Sequence, residues 1–236
     1  MNLGSSLPQR CAKALLEQEQ KLLTDGFQPK KFLQGEETTF LEQNIDCTKT
    51  PGKNLETRED YNTLIGATAE IFLIALVRLS MEKVLQDVSM IKIPQGKAFP
   101  LNEQYQIRKH RRHQLKIVDP RYPKDMIAEY ELVVQAENSI LCLDATTHHR
   151  QVDNKNEKPF LELRSNLQQS QAQYELEKMH VLFTDVPREP TFREKKPGVH
   201  VLRLALLSQV RELLTHYAPD IPKPRGDLPA NSSDVQ

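Results

Sequence analysis

Residues 126–146, MIAEYELVVQAENSILCLDAT, decide the fold. Two runs rich in valine, isoleucine and leucine, 126–135 and 140–146, are joined by a short polar link at 136–139. Such a link between two β-rich runs is typical of an antiparallel hairpin. The sequence therefore predicts two paired strands of one sheet.

Helical periodicity appears on both sides of this hairpin. Upstream, a long helix is predicted from about Arg58 to about Asp87, because leucine, isoleucine and alanine recur there at three- and four-residue steps. The other predicted elements are strands or extended segments at 88–99, 104–118 and 180–184, and helices at 7–24, 160–179 and 201–217. The order predicts an α/β fold: a central mixed sheet with an α-β-β-β-α-β core, helices on both faces, and additional amino- and carboxyl-terminal helices.

The chain divides into three predicted parts. Residues 1–57 hold the first helix and an irregular lead-in that proline and glycine interrupt. Residues 58–217 form the α/β core with the final helix. Residues 218–236 carry prolines with polar residues and are predicted to be a disordered tail.

The composition argues against a disulfide-dependent fold, a strongly basic nucleic-acid-binding protein and a membrane-spanning protein. The 236 residues suffice for a core without disulfides or a structural metal. Lysine plus arginine (32) equals aspartate plus glutamate (32), so any contact with nucleic acid must come from a local patch. Three scattered cysteines without a CxxC pair indicate a reducing compartment, the cytoplasm. The longest apolar run, Ile71–Val77, has seven residues, so no membrane span is expected.

Three acidic residues interrupt apolar elements, where an unpaired carboxylate is costly. Glu70 lies on the long helix, and Glu131 and Asp144 lie on the strands of the hairpin. Converging carboxylates suit Mg²⁺ or Mn²⁺, which assist phosphodiester hydrolysis. Each residue also has a structural alternative: Glu70 paired with a basic side chain, Glu131 facing outward beside Glu129, and Asp144 capping a turn.

The element order and the positions of these acids resemble the PD-(D/E)XK nuclease superfamily. In that family, E-x-D-h-h-h, a short turn and h-h-h-(D/E)-x-K supply the metal ligands and a lysine. The matching stretches are EYELVV at 129–134 and ILCLDAT at 140–146. The resemblance implies metal-dependent hydrolysis of nucleic acid, with Glu70, Glu131 and Asp144 as metal ligands and the last two as catalytic residues.

Two positions depart from the family pattern. Thr146 occupies the place of the lysine, and Glu131 occupies the first acidic place, where aspartate is usual. In this family the lysine is found on other elements too, so we expect Lys155 as the catalytic lysine, with Lys158 or Lys116 as alternatives. If none of them serves, the site is inactive.

A basic run, RKHRRH at 108–113, lies on a predicted strand or hairpin. Such a stripe neutralises several phosphates, so Arg108, Arg111 and Arg112 are predicted to contact nucleic acid. The alternative is a solvated edge strand, where charge prevents pairing with another sheet.

The predicted helix at 160–179 carries Gln169, Gln173 and Tyr174. They are similar to the Q-x-x-x-Y signature of the RecB-like branch of the family, and this similarity implies contact with nucleic acid. A glutamine-rich solvated helix is the alternative.

Two functions other than hydrolysis stay open. A catalytically inactive nuclease-fold module, which binds or assembles, is favoured by Thr146 in the lysine place. A bacterial effector or adaptor would instead bind a protein partner through the first helix and the lead-in up to Lys53.

Overall fold

The structure, a computed structural model, describes residues 5–48, 58–110, 113–122, 126–147, 157–186 and 189–221. Within them it holds a six-stranded mixed sheet and a four-stranded antiparallel sheet, with helices on both faces of the larger one. The predicted α/β class is confirmed.

The helices of the described ranges are α1 (Leu7–Thr24), α2 (Pro29–Phe32), α3 (Glu36–Thr48), α4 (Arg58–Lys83), α5 (Glu157–Gln169) and α6 (Leu207–Tyr217). The strands are β1 (Ser89–Met90), β2 (Ala98–Pro100), β3 (Gln106–Lys109), β4 (Leu115–Val118), β5 (Met126–Tyr130), β6 (Leu132–Ala136), β7 (Ser139–Thr146), β8 (Glu175–Phe183), β9 (Phe192–Lys196) and β10 (Val199–Leu204).

The larger sheet has the strand order β1-β6-β7-β8-β10-β9, and the smaller has β2-β3-β4-β5. Strands β7, β8 and β10 run parallel, while β6 pairs with β7 in the antiparallel sense. The predicted hairpin of 126–135 with 140–146 is therefore correct only in its second half. A bend at Glu131 divides the first run, so that β5 belongs to the smaller sheet and β6 to the larger.

The two faces of the larger sheet bury different partners. Alternate side chains of β7, Leu141 and Leu143, pack with the apolar sides of α1, α4 and α6. The intervening ones, Ile140 and Cys142, pack with α5 and with the smaller sheet. A strand covered on both faces needs a nearly continuous apolar sequence, which explains the run ILCL.

The lead-in at 27–53, predicted to be irregular, contains α2 and α3. Arg78 of α4 holds both short helices: its Nε donates to Glu37 Oε1 at 2.6 Å, and its Nη2 donates to the carbonyl of Phe32 at 2.9 Å. Short helices with little periodicity depend on such tertiary contacts, and local sequence does not reveal them.

The prediction is also wrong at two later boundaries. The predicted helix at 160–179 ends at Gln169, a left-handed residue follows at Gln171 (φ 50°), and β8 takes the remainder. The predicted helix at 201–217 begins as the strand β10, and β9 lies between that segment and the predicted strand at 180–184, where no strand is predicted. Pairing along the sheet outweighs local propensity at both places.

The helix α4 is long and apolar enough, over Tyr61–Lys83, to cross a membrane by length and composition alone. However, 67% of its most apolar window is buried inside the protein. This burial makes α4 the central core helix of a globular fold.

Candidate functional site

Asp144 lies in a polar cluster on the sheet face that α5 covers. The parallel register pairs Asp144 of β7 with His180 of β8, and Cys142 with Lys178. Because paired residues of neighbouring strands share a face, Lys178 and His180 are direct neighbours of Asp144.

A buried ion pair forms the centre of the cluster. Lys178 Nζ lies 2.7 Å from Asp144 Oδ2, and the two side chains are 0% and 2% exposed. His180 Nδ1 lies 3.5 Å from the same oxygen. Lysine and aspartate are almost never so deeply buried unless paired, because removing either charge from water costs several kcal/mol.

Tyr130, the last residue of β5, covers this ion pair from the smaller sheet. The centre of its ring lies 5.0 Å from Lys178 Nζ, within the range of a cation–π interaction. Burial raises the pKa of Tyr130 well above its usual value, and the charges of Asp144 and Glu131 add to the effect. The phenol therefore stays protonated, and its oxygen has no hydrogen-bond partner within the described ranges.

Glu131 reaches the same place from the bend between β5 and β6. The register of β6 on β7 pairs Leu132 with Leu143, so its continuation puts Glu131 opposite Asp144. The side chain is buried, and Oε2 accepts a hydrogen bond from the backbone N–H of Ala145 at 3.2 Å. Two of the three predicted acids thus lie together.

Glu70 has a different partner. It belongs to α4, which packs on the other face of the sheet, and its Oε2 lies 3.3 Å from His113 Nε2. Among the residues that the structure describes, no group of three or more His, Cys, Asp or Glu side chains is placed to hold a metal ion, and this covers the predicted set of Glu70, Glu131 and Asp144.

Glu131 and Asp144 still supply carboxylate oxygens, the donor type of a magnesium site. Mg²⁺ commonly takes one or two protein carboxylates and completes its octahedron with water and substrate phosphate. Glu131 and Asp144 fit that donor set, and Glu70 is not needed for it.

Lys178 is a buried lysine of this cluster that is not among the predicted site residues. It occupies the cluster beside Asp144, while Thr146, two residues further along β7, is buried at the end of the strand. Its signal in the sequence is a charged residue within the apolar run LEKMHVLF at 176–183. The sequence does not reveal its place in the cluster, because the predicted helix at 160–179 includes Lys178 and the predicted strand begins only at residue 180.

The other predicted lysines lie elsewhere or are not described. Lys155 falls outside the described residues. Lys158 on α5 is 88% exposed and lies 3.9 Å from Glu162, one turn along the same helix. Lys116 belongs to β4 of the smaller sheet.

The structure describes one of the three arginines that are predicted to contact nucleic acid. Arg108 on β3 is paired with Lys116 on β4, so two cations lie opposite each other on one face of the smaller sheet. Arg111 and Arg112 lie outside the described residues.

The predicted helix at 160–179, which was to carry Gln169, Gln173 and Tyr174, ends earlier in the structure. Gln169 is the last residue of α5, and Gln173 and Tyr174 lie in the connection to β8. The ring of Tyr174 packs against Phe99, with 5.4 Å between the centroids. The helix ends before the last two residues of the signature, so these three residues do not share a helix face.

His180 is the second residue that sequence reasoning missed. Burial lowers its pKa to about 4, although the charge of Asp144 opposes the effect. The imidazole is therefore neutral at pH 7. With Nδ1 facing Asp144, the buried Nε2 has no hydrogen-bond partner within the described ranges.

The cluster lies where α/β proteins commonly bind ligands. Asp144 and His180 are near the carboxyl ends of the parallel strands β7 and β8, and in open α/β sheets ligands bind at that edge. Comparison of the chain with models of protein families, with curated proteins and with solved structures finds no match.

Proposed function

We propose that this protein hydrolyses phosphodiester bonds of nucleic acid with the help of Mg²⁺ or Mn²⁺, at the cluster of Glu131, Asp144 and Lys178. The observation that carries the proposal is the 2.7 Å contact between Lys178 Nζ and Asp144 Oδ2. Lys178 lies on β8, the neighbouring strand, and would provide the amino group that the family pattern expects at position 146, where this chain has threonine.

Glu131 and Asp144 would hold the divalent ion, because the register of β6 on β7 continues to Glu131 opposite Asp144, and Glu131 Oε2 reaches the backbone N–H of the next residue, Ala145. When bound, such an ion acts as a Lewis acid on the phosphate and lowers the pKa of its water. Lys178 Nζ lies beside Asp144, where it would stabilise the negative charge that develops on the phosphate in the transition state. Tyr130 fixes the position of the ammonium group through its ring.

The nucleic acid would be guided by local basic residues, since the chain has no net charge to attract a polyanion. Arg108 and Lys116 supply one such pair on the smaller sheet. A cytoplasmic location is part of the proposal. Cys11 and Cys142 are free thiols, which suits a reducing compartment.

A second candidate is a nuclease-fold module that binds nucleic acid without cleaving it. Its support is the burial of the cluster: Glu131 is 4% exposed and Asp144 1%. A phosphate must reach these side chains for hydrolysis but not for binding at the surface.

A cleavage assay tests the proposal. Labelled single- and double-stranded DNA and RNA oligonucleotides are incubated with the protein in Mg²⁺, Mn²⁺ or EDTA. The wild type is expected to cleave at least one substrate in a metal-dependent manner. Asp144→Asn and Glu131→Gln should each reduce the rate by about 100-fold or more, while circular dichroism shows an unchanged fold.

Glu162→Gln is the matched control, because this glutamate is exposed and should leave the rate unchanged. Absence of cleavage by the wild type in both metals would refute hydrolysis. Retention of the oligonucleotide under those conditions would then support the binding module. Equal rates for the wild type and Asp144→Asn would also refute the proposed site.

A further inference from the structure

The edge strand β9, with the sequence FREKK, carries cations on the sheet face that holds the Asp144 cluster. One row of paired residues across the sheet runs Cys142, Lys178, Val199 and Lys196. The next row runs Asp144, His180, Val201 and Arg193. Because paired residues share a face, Lys196 and Arg193 lie on the same face of the sheet as Lys178 and Asp144.

A β-bulge adds a further lysine to this surface. Val199 pairs with Lys196 but His200 pairs with Glu194, so Lys195 is an extra residue in the edge strand. Consecutive side chains of a regular strand point to opposite faces, whereas a bulge redirects one of them. This local irregularity explains how Lys195 and Lys196 both reach one side chain on α5.

That side chain is Glu157, the first residue of α5. Lys195 Nζ contacts its Oε1, and Lys196 Nζ lies 2.7 Å from its Oε2. We call Lys195 and Lys196 the lysine fork. The carboxylate is 8% exposed, while Lys196 is 49% exposed, so the fork can be reached from solvent.

The fork has the chemistry of a phosphate site. Phosphodiester oxygens, like the two oxygens of a carboxylate, accept short charge-assisted hydrogen bonds from cations. Arg164, seven residues along α5 from Glu157, packs over Gly198 in the turn that follows β9. Around this turn, Arg164 and the two lysines of the fork outnumber the acidic residues Glu157 and Glu194.

We propose that the lysine fork binds the phosphodiester backbone of the nucleic acid whose scissile bond lies at Asp144, and that Glu157 occupies the fork until the strand arrives. This inference rests on the proposed function. Lys196 is three strands from Asp144, which is about 14 Å at 4.8 Å per strand. A helical nucleic-acid strand carries one phosphate per about 3.4 Å, so the fork meets a phosphate about four nucleotides from the scissile one.

His180 connects the two charge clusters. Its Nδ1 faces Asp144, and Glu157 and Lys195 are among the charged groups that act on its ring. The charges of the fork and of the Asp144 cluster therefore both act on the ring of His180, on the sheet face that α5 covers.

Binding without cleavage tests the inference. Fluorescence anisotropy of a fluorescein-labelled single-stranded oligodeoxynucleotide is measured in EDTA at several salt concentrations. The double variant Lys195→Gln/Lys196→Gln should bind about tenfold more weakly, and its logarithmic salt slope should be smaller by about 0.7 to 1.4. Glu157→Gln should bind several-fold more tightly, because the fork loses its competing carboxylate.

Lys158→Gln is the matched control, since this exposed lysine lies next to Glu157 in the sequence and should leave binding unchanged. If the double variant fails to fold, the single variant Lys196→Gln replaces it in the binding assay. Wild-type affinity in the fork variants, weaker binding by Glu157→Gln, or no binding by the wild type would each overturn the inference. Binding is measured in EDTA, which prevents metal-dependent cleavage, so the two proposals are tested separately. If the fork variants bind more weakly but the wild type does not cleave in Mg²⁺ or Mn²⁺, hydrolysis is refuted and binding by the fork is not.

Discussion

Replacing Lys178 with methionine tests whether the buried ion pair has the geometry that the structure gives it. The variant keeps most of the side-chain volume but leaves the carboxylate of Asp144 buried without its ammonium partner. Removing one member of a buried ion pair costs about 3 to 5 kcal/mol. The fully buried position of Lys178 and its 2.7 Å contact place this pair in that class.

The exposed pair Lys158 and Glu162 supplies the control. Its members are 88% and 65% exposed, and its charges are 3.9 Å apart, so Lys158→Met should change the free energy of unfolding by less than about 0.5 kcal/mol. The double variant Lys178→Met/Asp144→Asn should recover most of the loss, because it buries no net charge.

Urea denaturation followed by circular dichroism measures these differences. If the midpoint urea concentration falls while the slope of the unfolding free energy against urea concentration is unchanged, the variant has lost stability and its unfolded state is not altered. A loss below about 1 kcal/mol for Lys178→Met would refute the buried pair. Equal stability of Lys178→Met and its double variant would refute the coupling to Asp144.

Two further predictions concern residues beside the site. The pKa of His180 is lowered from 6.5 to about 4 in the folded protein, so the unfolded chain binds more protons between these values. The wild type should therefore lose about 3 kcal/mol of unfolding free energy as the pH falls from 6.5 to 4, and His180→Gln should lose correspondingly less; parallel pH profiles of the two proteins would contradict this. Gly198→Ala should destabilise the protein more than Gly26→Ala, as measured by urea denaturation. Both glycines have positive φ (+76° and +83°), but a Cβ at Gly198 would clash with Arg164, whereas Gly26 has open space. A larger loss for Gly26→Ala would show that Arg164 does not pack there.

Much of the core could be predicted because its signals are local. The apolar runs around Asp144 and the periodicity of α4 depend on nearby residues, and both elements are present. Glu131 and Asp144 were found for the same reason, since a carboxylate within an apolar strand is conspicuous.

The features that were not predicted depend on contacts between residues that are far apart in the sequence. Lys178 was missed because β8 becomes a strand through its parallel pairing with β7, while the sequence before it has helical composition. The break at Glu131 arises because β5 and β6 join different sheets, and simple alternation does not reveal which sheet a strand joins. The fork depends on a bulge, which no local pattern in FREKK indicates.

The rate of oligonucleotide cleavage by Lys178→Met in Mn²⁺, relative to the wild type, tests the central claim most directly. Lys178 supplies the charge that Thr146 lacks, so the rate should fall by about 100-fold or more. Thr146→Lys in the Lys178→Met background should restore part of the activity by returning an amine to the strand of Asp144. Cleavage by Lys178→Met at the wild-type rate would contradict the account.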